Sequence, residues 1–224
     1  RMRIGQGDAV DVPFKGTLRD NQVPVVETYL AHVTKNTVQG GGGLLELPCA
    51  YGKTTLSLYI CAQLKVKTLV IVHKEFLLNQ WVERIHQFLP TARIGRIQGS
   101  TIDIDNKDIV LGMLQSLSMK DYPDTTFSSF GLTIIDEVHH ISSEVFSCAL
   151  FKIVSKYMLG LSATMNRKDG TTKVFKMFLG DVVYKGERDQ EHDVIVRGIQ
   201  YRVDDDEFSH IITNVRGDVM HSSM

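Results

Sequence analysis

Apolar runs of strand length alternate along this chain with stretches whose apolar residues recur at helical spacing. That alternation predicts an α/β fold, with a mostly parallel sheet and helices on both its faces. Thr68–Val72, Ile94–Gln98, Ile109–Met113 and Leu132–Ile135 read as strands, as do residues 44–47 and 158–161. Thr68–Val72 is nearly continuous in apolar residues, as a strand buried on both faces must be. Val26, Leu30 and Val33 at i, i+4, i+7 place a helix that is capped by Asp20 or Asn21 and runs to about Lys35. Pro24 is tolerable there only in the first turn. A helix is expected over Lys53–Leu64 and another over 74–88, the latter with Leu78, Val82, Ile85 and Leu89 on one stripe and Pro90 as its stop. Ser142 caps a helix to about Tyr157, and Ile141 can pack on Phe146 as a hydrophobic staple. Gly40 to Gly43 reads as a flexible approach to the first strand. Residues 193–203 suit one long strand, 204–207 form an acidic run, and 215–224 read as a weakly structured tail.

Hydrophobic residues make up 43% of the chain and charged residues 23%, which excludes a disordered or fibrous protein. The net charge of -1 gives no global basic signal, so a nucleic-acid partner would need a local basic face. No apolar run approaches the roughly 18 residues of a membrane span, and the start has no signal-peptide pattern, so no membrane partner is expected. Cys49, Cys61 and Cys148 form no CxxC, which favours a reducing, intracellular setting. The chain begins at Arg1 rather than Met, and is expected to be a piece of something longer.

The segment from Leu44 through Pro48, Cys49, Ala50, Tyr51, Gly52, Lys53, Thr54 and Thr55 reads as strand, loop, helix. A tight loop there turns backbone N–H groups inward, and the helix N-terminus adds partial positive charge, which suits a phosphate. Lys53 would reach the β and γ phosphates, and the Thr54 hydroxyl would hold Mg²⁺. Leu47 stands where the full P-loop pattern has its first glycine, so only Gly52 of the two signature glycines is present. The plainer alternative is a loop lysine beside a helix cap. Asp136-Glu137 ends an apolar strand, at the edge where open α/β sheets bind ligands. Asp136 would hold the metal and Glu137 would orient the attacking water, their side chains diverging as neighbours on a strand do. A solvated acidic turn is the alternative. His139 and His140 lack the further spaced Cys or His of a zinc site. Cys49 is either a thiol near a helix N-terminus or a small packing residue.

The ordered motifs Leu18-Arg19-Asp20-Asn21-Gln22, Pro48 to Thr55, Asp136-Glu137-Val138-His139 and Gly160-Leu161-Ser162-Ala163-Thr164 resemble those of superfamily 2 helicases. The Leu-Pro-Cys opening and Asp-Glu-Val-His look most like the branch that contains XPB, UvsW and the transcript-release helicases of large DNA viruses. The resemblance implies a RecA-like P-loop NTPase lobe over residues 15–203, after an N-terminal extension 1–14 and before a linker, or the start of a second lobe, at 204–224. It implies ATP and Mg²⁺ as cofactors and DNA and/or RNA as partner. Gln22 and Arg19 would read the adenine. Pro48, Cys49, Ala50, Tyr51, Gly52, Lys53, Thr54 and Thr55 would form the nucleotide loop, with Lys53, Asp136 and Glu137 catalytic and Thr54 and Asp136 on the metal. His139, Ser162 and Thr164 would couple the nucleotide to the nucleic-acid track. His73, Lys74, Gln80, Gly99, Ser100 and Gln115 would contact that track through phosphates and sugars. Met113 stands where relatives often have Thr.

Nothing after Thr164 resembles the Gln-Gly-Arg-x-Gly-Arg pattern of a second lobe. The chain is therefore expected to be a monomeric first lobe whose missing partner lobe supplies an arginine. Alone it should bind nucleotide poorly and turn it over barely. Two other readings stay open: a duplex translocase or remodeller without strand separation, and a non-catalytic nucleotide-gated binding module.

Overall fold

The computed structural model describes residues 6–35, 38–48, 51–123, 125–163 and 171–187, all within one compact unit spanning 1–188. The elements in chain order are α1 (Val23–Thr34), β1 (Gly41–Glu46), α2 (Lys53–Leu64), β2 (Thr68–Val72), α3 (Glu75–Phe88), β3 (Ile94–Gln98), β4 (Thr101–Asp103) and β5 (Ile109–Met113). Then come α4 (Leu114–Met119), β6 (Leu132–Ile135), a 3₁₀ turn (Val138–His140), α5 (Ser143–Leu150), β7 (Tyr157–Ser162), α6 (Thr171–Leu179) and β8 (Val182–Lys185). They build an eight-stranded sheet in the order β4-β3-β5-β2-β6-β7-β1-β8. Every pairing is parallel except β3 with β4. No described helix is long and apolar enough to cross a membrane.

The sheet is sealed on both faces because side chains alternate along a strand. Val70 and Val72 of β2 face one core with Val25, Tyr29, Leu56, Trp81 and Leu89, from α1, α2 and the α3 region. Leu69 and Ile71, their neighbours, face a second core with Leu117, Phe146, Leu150, Phe175 and Leu179, from α4, α5 and α6. Each such side chain, fully buried, contributes roughly 1.5–3 kcal/mol of transfer free energy. The N-terminal stretch joins the first core: Val10 and Val12 are buried, and Val10 N–H donates to Lys65 O at 3.0 Å.

Several expectations change. The helix cap is Gln22, not Asp20 or Asn21, and its side chain makes no cap bond. Its Oε1 instead accepts from Arg19 N–H at 2.9 Å, which closes the turn before α1. Gly41, Gly42 and Gly43 are strand residues rather than a flexible approach. A Cβ on Gly42 would run into Leu179 O and one on Gly43 into the Val183 side chain, so the glycines let α6 and β8 approach the strand. The helix from Ser142 ends at Leu150, and Tyr157 opens β7, where it pairs with Gly41 and Leu132. Burial of a six-residue strand between two parallel neighbours outweighs helical continuation there. α4, α6, β4 and β8 are additions. Residues 193–203, 204–207 and 215–224 lie outside the described residues.

Gly42→Ala is expected to destabilise the fold by about 1–3 kcal/mol, because the atom it meets is backbone and cannot rotate away. Thermal melting of the purified variant measures this. An unchanged midpoint would contradict the tight packing at this point.

Candidate nucleotide site at the carboxyl-terminal edge of the sheet

The parallel strands put all their carboxyl ends on one edge, and the candidate residues emerge there. α2 starts at Lys53 directly after Gly52, which sits at φ 72°, ψ 47°. This left-handed geometry lets the chain turn from loop into helix and is open to glycine at no steric cost. The loop is held from behind by Gln22, 3% exposed, whose Nε2–H donates to Tyr51 O at 2.8 Å. Tyr51 N–H in turn donates to Pro48 O at 3.1 Å. Pro48 and Tyr51 thus shape the loop. Thr54 and Thr55 line a cavity of about 430 Å³ together with Arg19, Gln22, Gly52, Lys53, Asp136 and Glu137.

Asp136 follows β6 and is 6% exposed. Burial pushes its carboxyl above the ordinary carboxylate range, against the pull of a hydrogen bond that Trp81 Nε1–H donates to Oδ2 at 2.8 Å. Glu137 has left the strand and sits at φ 50°, ψ 48°. A left-handed turn, not strand alternation, therefore separates the two acids. Lys53 Nζ lies 2.9 Å from Glu137 Oε1. The buried ammonium has this ion pair, and no hydrogen bond to it is found among the described residues. It is a cation aimed into a cavity with donors to spare, which fits a phosphate. The hydroxyl of Thr54 and the carboxylate of Asp136 are hard oxygen donors, the kind Mg²⁺ takes.

His139 stands at the junction of the acids and β7. Its Nδ1 lies 3.1 Å from Ser162 Oγ, 3.3 Å from Glu137 Oε2 and 3.4 Å from Ala163 N–H. The protonated ring nitrogen would donate to Glu137, and the bare one would accept from Ala163, so the tautomer selects the partner. The rings of His139 and His140 lie 4.1 Å apart, and those of His140 and His73 5.7 Å. Burial lowers the His73 pKa, with help from His140 and Lys74 nearby. Glu137, His139 and His140 place potential ligand atoms within 4.8 Å of one another.

The remaining candidates occupy the other half of the edge, beyond β2, β5 and β3. Lys74 precedes α3 and is exposed, as are Gly99, Ser100 and Gln115. Ser116 Oγ accepts from Gly99 N–H at 2.9 Å, Lys120 Nζ donates to Gly99 O, and Gln98 Nε2–H donates to Glu75 Oε1 at 3.3 Å. These bonds join the loops after the three strands into one exposed strip. Gln80 does not belong to that strip. It lines the nucleotide-side cavity with Leu77, Arg84 and Phe88, all on one face of α3. Gln80 lies off the stripe of Leu78, Val82, Ile85 and Leu89, and its position in the sequence does not say which neighbour it faces. Cys49, Ala50 and Thr164 lie outside the described residues.

The family described as type III restriction enzyme, res subunit, matches residues 15–167. The chain belongs to this family. It is 38% identical over 191 residues to L396 of Acanthamoeba polyphaga mimivirus, which is named an ATP-dependent RNA helicase, covering 85% of this chain and 36% of that protein. It is 34% identical over 161 residues to the DNA 3'-5' translocase XPB2 of Sulfurisphaera tokodaii, covering 70% and 35% of the two. The SWI2/SNF2 ATPase core of Sulfolobus solfataricus, solved with dsDNA, superposes with a TM-score of 0.62 at 21% identity, over 78% of this chain and 37% of that one. The fold is that of a helicase RecA-like core. The superfamily 2 likeness read from the motifs therefore holds, and so does the branch. The chain spans only about a third of the length of these helicase-family relatives.

Gly52→Ala is expected to strain the loop in two ways. A left-handed alanine costs roughly 1–2 kcal/mol, and the new Cβ would sit 2.8 Å from Gln22 Nε2. A lowered melting midpoint together with weakened binding of a fluorescent nucleotide is the expected outcome. Wild-type binding would show that the loop does not need this turn.

Proposed function

We propose that the chain is the ATP-binding first lobe of an ATP-driven nucleic-acid helicase, acting inside the cell. The observation that carries this reading is the meeting of Lys53, at the start of α2, with Asp136 and Glu137, at the end of β6, in one cavity. An entering γ-phosphate would compete with Glu137 for the Lys53 ammonium. Once Lys53 turns to phosphate, Glu137 is released to orient and polarise a water. Arg19 and Gln22, on the same wall, would read the base. Thr54 and Asp136 would hold Mg²⁺. That ion, when bound, would neutralise charge on the phosphates. The names of the relatives support ATP use and a nucleic-acid partner.

On this reading residues 15–203 form the lobe, 204–224 lead toward a second lobe, and the strip of Lys74, Gly99, Ser100 and Gln115, with His73 beside it, faces the nucleic-acid backbone. His139, Ser162 and Thr164 would relay between the two halves of the edge. A duplex translocase that does not separate strands is the second reading, favoured by the name of the archaeal relative.

The test uses the intact two-lobe protein. Lys53→Ala should remove ATPase activity while leaving nucleotide-free nucleic-acid binding nearly intact, and retained turnover would overturn the phosphate assignment. Glu137→Gln should bind ATP and hold it unhydrolysed; loss of binding in that variant, with normal hydrolysis in Asp136→Asn, would reverse the two roles. Ser162→Ala removes one hydrogen bond worth about 0.5–1.5 kcal/mol. It should lower strand displacement more than nucleic-acid-stimulated ATPase, and equal proportional losses would end the coupling role.

A further inference from the structure

We infer that Trp81 is a positioning residue for the nucleotide site, holding one oxygen of Asp136 so that the carboxylate presents the other to a divalent cation; this rests on the nucleotide reading above. Trp81 is the sole tryptophan of the chain and is 1% exposed, at the middle of α3. Its ring fills the first core among Leu78, Ile85 and the strand residues Val70 and Val72. A buried indole that needed only to pack would still have to satisfy its N–H, and backbone carbonyls or water usually do so. Here the N–H is spent on a carboxylate that is itself buried, at 2.8 Å.

Two features make this a device rather than an incidental contact. A carboxylate with two free oxygens rotates about χ2 and can turn either edge toward an ion, whereas one oxygen anchored by a donor on a rigid helix fixes the plane. The ionised acceptor makes this a charge-assisted bond, and together with the Glu137 backbone N–H, which also donates to the Asp136 carboxylate, it favours the charged form and a fixed orientation. α3 is also the wall of the cavity, through Leu77, Gln80 and Arg84. Cation position and cavity wall are therefore set by one helix. Asp136 lies 55 residues from Trp81 along the chain, so no local spacing announces the pair.

The test replaces the indole N–H and keeps its shape. With one tryptophan in the sequence, incorporation of 3-benzothienylalanine, which carries sulfur in place of N–H, changes this site alone. Binding of a fluorescent ADP to the 224-residue chain is measured by protein titration reaching the weak affinity expected of a lone lobe, in EDTA and against rising Mg²⁺, beside the melting midpoint. The isostere should melt near the wild type and bind nucleotide in EDTA within about twofold of it. Its Mg²⁺ requirement should rise about tenfold, in line with loss of an outer partner of a metal ligand. Trp81→Phe should show the same Mg²⁺ effect with a lower midpoint. In the wild-type chain the single indole N–H resonance should move when Mg²⁺ is added to the ADP complex and stay still on ADP alone. An unchanged Mg²⁺ requirement in the isostere, with wild-type binding intact, overturns the inference. A wild-type chain that binds no nucleotide under either condition, even at protein concentrations that reach millimolar affinity, overturns the nucleotide reading and this inference with it.

Discussion

Strands buried on both faces can do no polar chemistry along their length. β2, β5, β6 and β7 are buried throughout and covered by helices on each side, and the Thr68 and Thr133 hydroxyls inside them are taken up by internal hydrogen bonds, so the first place a charge can stand is where each strand stops. Parallel pairing puts those stops in one row. The site follows from this constraint. Asp136 comes after Ile135, Ser162 ends β7, His73 follows Val72, and the loop carrying Lys53 lies beyond β1.

Strand order then divides the row. β6, β7 and β1 are neighbours, and their ends carry the acids, the serine and the loop lysine. β2, β5 and β3 are neighbours, and their ends carry the exposed strip from Lys74 to Gln115. The two halves touch at the histidines, where His139 meets Ser162 and His140 stands between His139 and His73. The two halves of the edge are thus joined by a short line of contacts, and it runs through groups whose hydrogen-bond direction depends on a single proton.

The electrostatics of the site are a stand-off. Lys53 and Glu137 neutralise one another in a cavity, while the Asp136 carboxylate is pressed toward its neutral form by burial and held by Trp81. Taking one partner away from a buried charge pair is costly. An anion that draws Lys53 off Glu137 therefore changes the state of both residues together.

Much of this was legible in the sequence. Thr68–Val72, Ile94–Gln98, Ile109–Met113, Leu132–Ile135 and Lys53–Leu64 stand where apolar pattern and turn residues place them, because burial on a regular element writes a regular pattern. Gly52-Lys53-Thr54 and Asp136-Glu137 were recognisable for the same reason, as short motifs at element ends. The end of α5 at Leu150, the strand role of Gly41 to Gly43 and the edge strands β4 and β8 were not, since each is decided by what packs against it. Gln80 faces the nucleotide cavity, and the hydrogen bond from Trp81 to Asp136 joins two distant elements. The sequence by itself determined which segments are apolar and where their polar ends fall. Only the tertiary structure decided which ends stand side by side, because strand order and the turn of a helix on the sheet are set by contacts between residues far apart in the chain.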